Sequence, residues 1–367
     1  MKYLLPLILL SLNFCIFAAN EATANWPSFR GTPENPGKAT GSLAEQPTLR
    51  WKYKTGGNIK GTPVVFNKRV FIGSQDEHLY CLDLKSGKEI WKKKLADVIE
   101  SSPLYLQKHL IVGTADGNLY KINAKTGKIV WTFKAEDRFA GAATYFLKEG
   151  KPVIVAGNYD NNIYAISFAD GKKIWSFETE NYVNGTPAIY EKGIIFGGCD
   201  NIMYVLSKDG KMVHEIDMGS YIAGTVAVEN GQAYIGHYDN KYFRVDIKKE
   251  KIVWEFKKSN FPFFSSAAIG KDRIIFGGRD KRVYAVNKEN GTKIWSFKTK
   301  GKVDSSPLIC DSKVVFGSYD GRLYMLNTKD GKEIWRYEIG KAILAAPAIV
   351  NGYILIGSSD GVLYTFK

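Results

Sequence analysis

Apolar and polar positions alternate along this chain in short runs separated by turn residues. Residues 101–133 show the pattern once in full. Ser101-Ser102-Pro103-Leu104-Tyr105 opens a first strand. Leu110-Ile111-Val112-Gly113 is a second, ended by the hairpin signal Ala115-Asp116-Gly117-Asn118. Leu119-Tyr120-Lys121-Ile122-Asn123 is a third, and Lys125-Thr126-Gly127-Lys128 closes it. Ile129-Val130-Trp131-Thr132-Phe133 is a fourth. Outside the N-terminal apolar stretch, no segment carries a helical period.

The unit recurs. Trp51, Trp91, Trp131, Trp175, His214, Trp254, Trp295 and Trp335 mark one register, 39 to 44 residues apart. Tyr80, Tyr120, Tyr164, Tyr204, Tyr242, Tyr284, Tyr324 and Tyr364 mark a second. Asp76, Asp116, Asp160, Asp200, Asp239, Asp280, Asp320 and Asp360 mark a third. Eight copies of a four-stranded antiparallel unit predict an all-β, eight-bladed β-propeller. The last copy stops at Lys367, before any Trp strand, while an orphan Trp strand, Leu49-Arg50-Trp51-Lys52-Tyr53, precedes the first. The orphan is expected to complete the last blade and close the ring, because an open fan leaves terminal faces unpaired.

The turn before the Trp strand reads Ala285-Val286-Asn287-Lys288-Glu289-Asn290-Gly291-Thr292-Lys293-Ile294-Trp295, and the same frame recurs at 81–91 and 121–131. It resembles the tryptophan-docking motif of the pyrroloquinoline-quinone-type β-propeller repeat family. The resemblance covers about seven-eighths of the chain and implies that each Trp packs between neighbouring blades. Two copies depart from it, one with His214 and one with Glu250-Lys251 in place of the Thr-Gly turn. The family holds dehydrogenases that use pyrroloquinoline quinone with Ca²⁺. It also holds a non-catalytic branch, the propeller subunit of the bacterial outer-membrane barrel assembly machinery. The resemblance implies that a dehydrogenase would carry long insertions and often adjacent Cys residues. This chain has bare-motif blades and neither feature, so the reading is no enzyme, no cofactor and no metal, with a quinone-dependent oxidoreductase as the alternative. Under that alternative Glu100, Asn184 and Asp304 are the available ligands round the channel, but they are scattered round the eightfold circle and no spacing singles them out. His78, His109, His214 and His237 have no metal-ligand spacing.

The ends and the charge narrow the setting. Residues 1–24 read as a secretory signal, with Lys2, an apolar core from Leu4 to Phe17, and Ala22-Thr23-Ala24 before the cut. Phe14 before Cys15 argues against a lipoprotein box. Residues 25–47 form an extension packing on the ring, anchored by Trp26 and Phe29, and 48–367 form the propeller. The expected location is the periplasm, outer-membrane associated or not, with no transmembrane span in the mature chain and a monomeric ring. Three mature cysteines, Cys81, Cys199 and Cys310, imply no disulfide framework. The net charge of +14 comes mostly from Lys near the Trp strands. Edge-strand Lys discourages aggregation, and a basic rim also attracts acidic partners or an anionic surface. Nucleic acid is not an expected partner of an exported chain.

The repeats separate scaffold from site. Residues shared by all copies do what every blade needs. Asp in tight turns caps backbone amides. The apolar set Ile59, Ile99, Phe139, Val183, Ile222, Phe263, Val303 and Ile343 plugs the space between blades. The next position varies: Lys60, Glu100, Ala140, Asn184, Ala223, Phe264, Asp304 and Leu344. So does the preceding one, which includes Arg138, Tyr182 and Tyr221. With Phe261, and with Arg282 and Arg322 in turns on the same face, these define a candidate partner-binding set: Arg138, Tyr182, Tyr221, Phe261, Phe264, Arg282, Arg322 and Leu344. An aromatic arc at a charged mouth suits a protein partner or nascent polypeptide, extended or amphipathic. The competing reading is that some of these side chains fold inward and cover the channel.

Overall fold

The computed structural model describes residues 25–191 and 193–367. The secretory signal read at 1–24 lies outside the described residues. The rest is an eight-bladed propeller of four-stranded antiparallel blades. In blade 1 the strands run from the axis outward as A (Val64–Phe66), B (Arg69–Gly73), C (His78–Asp83) and D (Glu89–Lys94). Blades 2 to 7 repeat that order, with A strands beginning at Leu104, Thr144, Ala188, Ala227, Ala268 and Leu308. Blade 8 takes Ala348–Val350, Tyr353–Gly357 and Val362–Phe366 from the end of the chain and Leu49–Lys54 from its beginning. Lys52 lies opposite Tyr364, and Thr48 and Lys367 exchange backbone hydrogen bonds at 3.0 Å. The ring therefore closes as the orphan strand requires.

The core lies between blades. Each apolar plug packs on the glycine that ends strand B of the preceding blade. A Cβ on Gly73 would come within 2.2 Å of the Ile99 side chain, and the same contact recurs from Gly113 against Phe139 round to Gly357 against Ile59. Farther out, the indole N–H of Trp51 donates to the Leu84 carbonyl of blade 1 at 2.9 Å, and its ring lies against Gly87. Gly87 has φ +69°, and a Cβ there would sit 2.5 Å from the indole, so only glycine fits. Trp91, Trp131, Trp175, Trp254 and Trp295 donate in the same way to the next blade. Trp335 faces blade 8, which has no C–D turn of its own, and packs edge-on against Phe366 with ring centroids 5.3 Å apart.

The two departures from the repeat are one contact. His214 on strand D of blade 4 faces the C–D turn of blade 5, and its Nδ1 is 2.5 Å from the Glu250 carboxylate. Glu250 stands where the other turns hold glycine, at φ +52°. A His–Glu pair thus replaces the Trp–Gly contact at this boundary.

The Asp register staples rather than reacts. Asp76 accepts from the Tyr80 hydroxyl at 2.6 Å, from the His78 amide at 3.1 Å, and from the Gly56 amide of the crossover from blade 8 at 2.6 Å. The Tyr hydroxyl pairs with its Asp in blades 3, 4, 6, 7 and 8 as well. Burial, then the hydrogen bond to the carboxylate, raises these phenols above their usual range.

Residues 25–44 wind once round the inside of the ring on the face opposite the crossovers. Strand A of every blade has one edge toward the axis, with N–H groups that no neighbouring strand meets. Trp26 exchanges two backbone hydrogen bonds with Val65 of blade 1. The carbonyls of Pro27, Pro33, Glu34, Pro36 and Gly37 then accept from Tyr105, Ile189, Val228, Ile269 and Ile309, in blades 2, 4, 5, 6 and 7. Lys38–Ala39 continues as a parallel fifth strand beside Leu308–Cys310. Arg30 turns inward, fully buried, and donates to the Pro307 carbonyl at 2.6 Å and to the Ala267 carbonyl at 2.5 Å. Burial without a carboxylate lowers its pKa to about 9. The side chains of Phe29 and Arg30 close this end of the channel.

Three outcomes follow from these contacts. Amide exchange of Val65, Tyr105, Ile189, Val228, Ile269 and Ile309 will be at least tenfold slower than that of Tyr145, the equivalent residue of blade 3, which meets no arm carbonyl. His214→Trp with Glu250→Gly will be more stable than the sum of the two single changes by about 1 kcal/mol or more in denaturant titrations, because either change alone leaves a mismatched partner. Each Tyr donates to its Asp only while protonated, and its folded pKa lies above the unfolded value. The stability of these pairs is therefore intact below about pH 10 and is lost as the pH rises beyond it, which a melting series from pH 8 to 11 will read as a falling Tm.

Candidate functional site at the channel mouth

The D-to-A crossovers and the B–C turns converge on one face. Within each blade the first residue of the B–C turn donates its N–H to the carbonyl of the residue before the plug. Tyr159 donates to Arg138 at 3.1 Å, Cys199 to Tyr182 at 2.9 Å, Tyr238 to Tyr221 at 2.9 Å, and Arg279 to Pro262 at 3.2 Å. The backbone thereby sets two variable positions side by side and aims both at solvent or at the axis.

Their side chains form an arc over five blades. Tyr159 and Tyr182 stack with centroids 4.8 Å apart and planes 7° from parallel, with the Arg138 guanidinium 5.1 Å from the Tyr159 ring. Farther round, Tyr221 packs on Tyr238 at 6.3 Å, and Tyr238 on Phe264 at 5.7 Å. The Arg279 guanidinium lies 3.9 Å over the Phe264 ring and forks onto Asp304 at 3.0 and 2.9 Å. Lys302 sits 4.2 Å over Tyr319. Tyr182, Tyr221, Tyr238 and Phe261 remain 46–53% exposed, an unusual amount for rings so closely grouped. Ser259 holds the loop of Phe261 by bonding both its amide and its carbonyl at 2.9 Å, so the ring projects outward.

Inside the arc the mouth is a shallow dish. Lys60, Glu100, Ala140, Asn184, Ala223, Phe264, Asp304 and Leu344 surround a cavity of about 190 Å³ with Phe29 of the arm beneath. Below them the blades are laced together: the Thr62, Thr186 and Ser266 amides donate to the hydroxyls of Ser102, Thr225 and Ser306 in the next blade. Close approach excludes larger residues here, since a Cβ on Gly185 would lie 2.5 Å from the Gly224 carbonyl oxygen. Each polar group of the inner ring is engaged. Glu100 pairs with Lys60 at 2.7 Å and accepts from Gln75 at 2.5 Å, and Asn184 accepts from the Tyr159 hydroxyl at 2.8 Å. Burial and then Asp304 push the Tyr319 phenol up to about 12, and burial also raises Tyr159, so both are neutral donors at physiological pH.

The sequence-derived residues divide accordingly. Phe264 and Leu344 line the dish, Tyr182, Tyr221 and Phe261 stand on its rim, and Arg138 covers Tyr159. Arg282 and Arg322 lie apart, reaching Ser296 and Glu338 on the D strands of their own blades. Tyr159, Tyr238 and Tyr319 were not singled out from sequence. They share the position just before the repeated Asp, and reading down that register (Gln75, Ala115, Tyr159, Cys199, Tyr238, Arg279, Tyr319, Ser359) exposes the same asymmetry. Cys199 belongs to this rim and is half-buried, while Cys81 and Cys310 are buried, and all three are free thiols. No group of three or more His, Cys, Asp or Glu side chains suited to a metal ion occurs among the described residues. No helix among them is long and apolar enough to cross a membrane.

Known proteins share this architecture. The crystal structure of BamB from Moraxella catarrhalis is 19% identical, covers 88% of this chain and 99% of its own, and superposes with a TM-score of 0.74. The quinohemoprotein alcohol dehydrogenase of Comamonas testosteroni is 15% identical, with 95% and 81% coverage and a TM-score of 0.80. At such identities these likenesses concern the fold alone. An uncharacterised protein of Methanocaldococcus jannaschii is 36% identical over 63 residues, which is 17% of this chain but only 8% of that protein's length. A family model described as outer membrane protein assembly factor BamB matches residues 40–176, 159–296 and 279–367. With three matches running from the arm to the last residue, the chain belongs to this BamB-like family of propellers with pyrroloquinoline-quinone-type repeats.

Proposed function

We propose that this protein is a non-catalytic scaffold of the cell envelope that captures a protein or nascent polypeptide on the mouth face, in the service of outer-membrane protein assembly. The observation that carries the reading is the arc from Tyr182 through Tyr221 and Tyr238 to Phe264: three exposed tyrosines, then a half-buried Phe264 with the Arg279 guanidinium stacked on it. Aromatic and Arg side chains of this kind are the usual anchors of protein interfaces. The BamB-like family and its description support the same direction.

The mouth does not fit the quinone and Ca²⁺ of the dehydrogenase relatives. A tricyclic quinone needs depth on the axis, where Phe29 and the laced Thr and Ser residues stand. A Ca²⁺ ion needs several converging oxygens. Glu100 and Asp304 stand in blades 2 and 7, each already neutralised by a cation.

Photo-crosslinking from position 221 or 261 in intact cells, followed by purification under denaturing conditions, will recover a specific envelope polypeptide. Replacing Tyr238, Phe264 and Leu344 together with Ala will cut that yield about tenfold or more, the loss of an interface anchor. An unchanged yield would exclude the mouth as the capture surface. Dye reduction gained on adding pyrroloquinoline quinone and Ca²⁺ would overturn the non-catalytic reading.

A further inference from the structure

The arm serves the inner edges unevenly. Between Pro27, bonded to blade 2, and Pro33, bonded to blade 4, it turns inward through Phe29 and Arg30 and skips blade 3. Strand A of blade 3 is Thr144–Lys148, and its hairpin closes with Lys148 opposite Lys151. Residues 144, 146 and 148 therefore face strand B, and the Tyr145 N–H faces the axis, as its equivalents do where they bond the arm. No arm carbonyl meets it. A cavity of about 820 Å³ lies against blades 1 and 2 and reaches this gap, bounded by Gly31 and Pro33 of the arm, by Phe66, Leu104 and Tyr105, and at its far edge by Tyr145. Phe66 and Tyr105 stack at 3.8 Å and form an apolar wall.

The charge beside this cavity is mainly positive. The turns at 67–68, 84–88, 107–108 and 124–128 carry Lys68, Lys85, Lys88, Lys108, Lys125 and Lys128 and no Asp or Glu. Lys108 and Lys125 are exposed at its rim. Carboxylates are fewer: Asp83 accepts from Ser86 within its own turn, Glu34 of the arm accepts from the Thr32 hydroxyl at 2.6 Å, and Glu149 stands at the tip of the blade 3 hairpin. Arg69 is held by the Ala124 and Lys125 carbonyls.

We propose that this cavity, on the face opposite the mouth, binds an extended acidic segment of another polypeptide, added at blade 3 as the arm adds at its neighbours. A carbonyl of the segment accepts from the Tyr145 N–H. Side chains of a strand alternate in direction, so apolar residues at every second position enter the cavity while the intervening carboxylates meet Lys108 and Lys125. The arm supplies the precedent for backbone recognition of these edges, and the lysine turns select the sign of the partner.

The test uses the exported protein and a fluorescein-labelled, C-amidated hexapeptide of alternating valine and glutamate, read by anisotropy at low salt and at physiological salt. The expected result is saturable binding that falls tenfold or more in Lys108→Glu with Lys125→Glu, two exposed positions whose change leaves the fold intact. Tyr145→Pro removes the donor without touching the strand A–B ladder, but it also removes a half-buried ring. It is therefore compared with Tyr145→Ala, which loses the ring and keeps the donor, and will bind about fivefold or more weaker than that variant. A peptide of alternating valine and lysine will not bind. The proposal is overturned by absence of saturable binding, by equal binding of the lysine peptide, or by full affinity in both the double lysine variant and Tyr145→Pro. It is also overturned if Phe264→Ala with Leu344→Ala abolishes binding, since the peptide would then sit at the mouth.

Discussion

Every blade of this protein is stable only against its neighbours. Each sheet has two apolar faces, and both are covered by the adjoining sheets through the plug, the glycine that receives it and the Trp farther out. A fan with free ends would expose such a face at each end and an unfinished three-stranded sheet at one. Pairing of Leu49–Lys54 with Val362–Phe366 removes both ends at once. The remaining features are laid upon that closed ring.

Closure creates a second demand at the axis. Eight inner strands turn an unpaired edge toward a narrow channel, and buried backbone donors without partners are costly. The arm meets this demand for most blades by winding round the inside, and in doing so it blocks one end of the channel with Phe29 and Arg30. The two faces consequently differ in kind. The crossover face keeps a shallow dish ringed by aromatic and charged side chains, while the arm face presents lysine turns and the gap at blade 3. A guanidinium buried with carbonyls alone depends on the surrounding packing to hold it, so Arg30 ties the course of the arm to the exact placement of blades 6 and 7.

Symmetry made the scaffold legible and the asymmetry only partly so. Comparison of copies assigned the plugs, the Trp register and the capping Asp; the plugs hold in all eight blades, while His214 replaces a Trp and Asp239 is exposed, with the Tyr242 hydroxyl bonded to the Ser265 carbonyl instead. It also picked out Phe264, Leu344, Tyr182 and Tyr221 because they interrupt a register, and the structure places all four at the mouth. It missed Tyr159, Tyr238 and Tyr319, which interrupt the register one residue before the Asp. Arg282 and Arg322 looked like mouth residues from their turns, yet they lie on strand C and reach strand D of the same sheet. The departures at His214 and Glu250 read as separate irregularities and are one contact across a blade boundary.

The sequence by itself determined what is periodic: the number of blades, their four strands, the closing strand and the residues that fill the gaps between sheets. Periodicity carries this information because every copy solves the same packing problem. The tertiary structure alone decided what the repeat does not share: the path of the arm, the burial of Arg30, the pairing of His214 with Glu250, and the inner edges at Tyr145 and Ile349 that the arm does not bond. Those depend on contacts between residues as far apart as Arg30 and Pro307, and no local pattern of hydrophobic and polar positions encodes them.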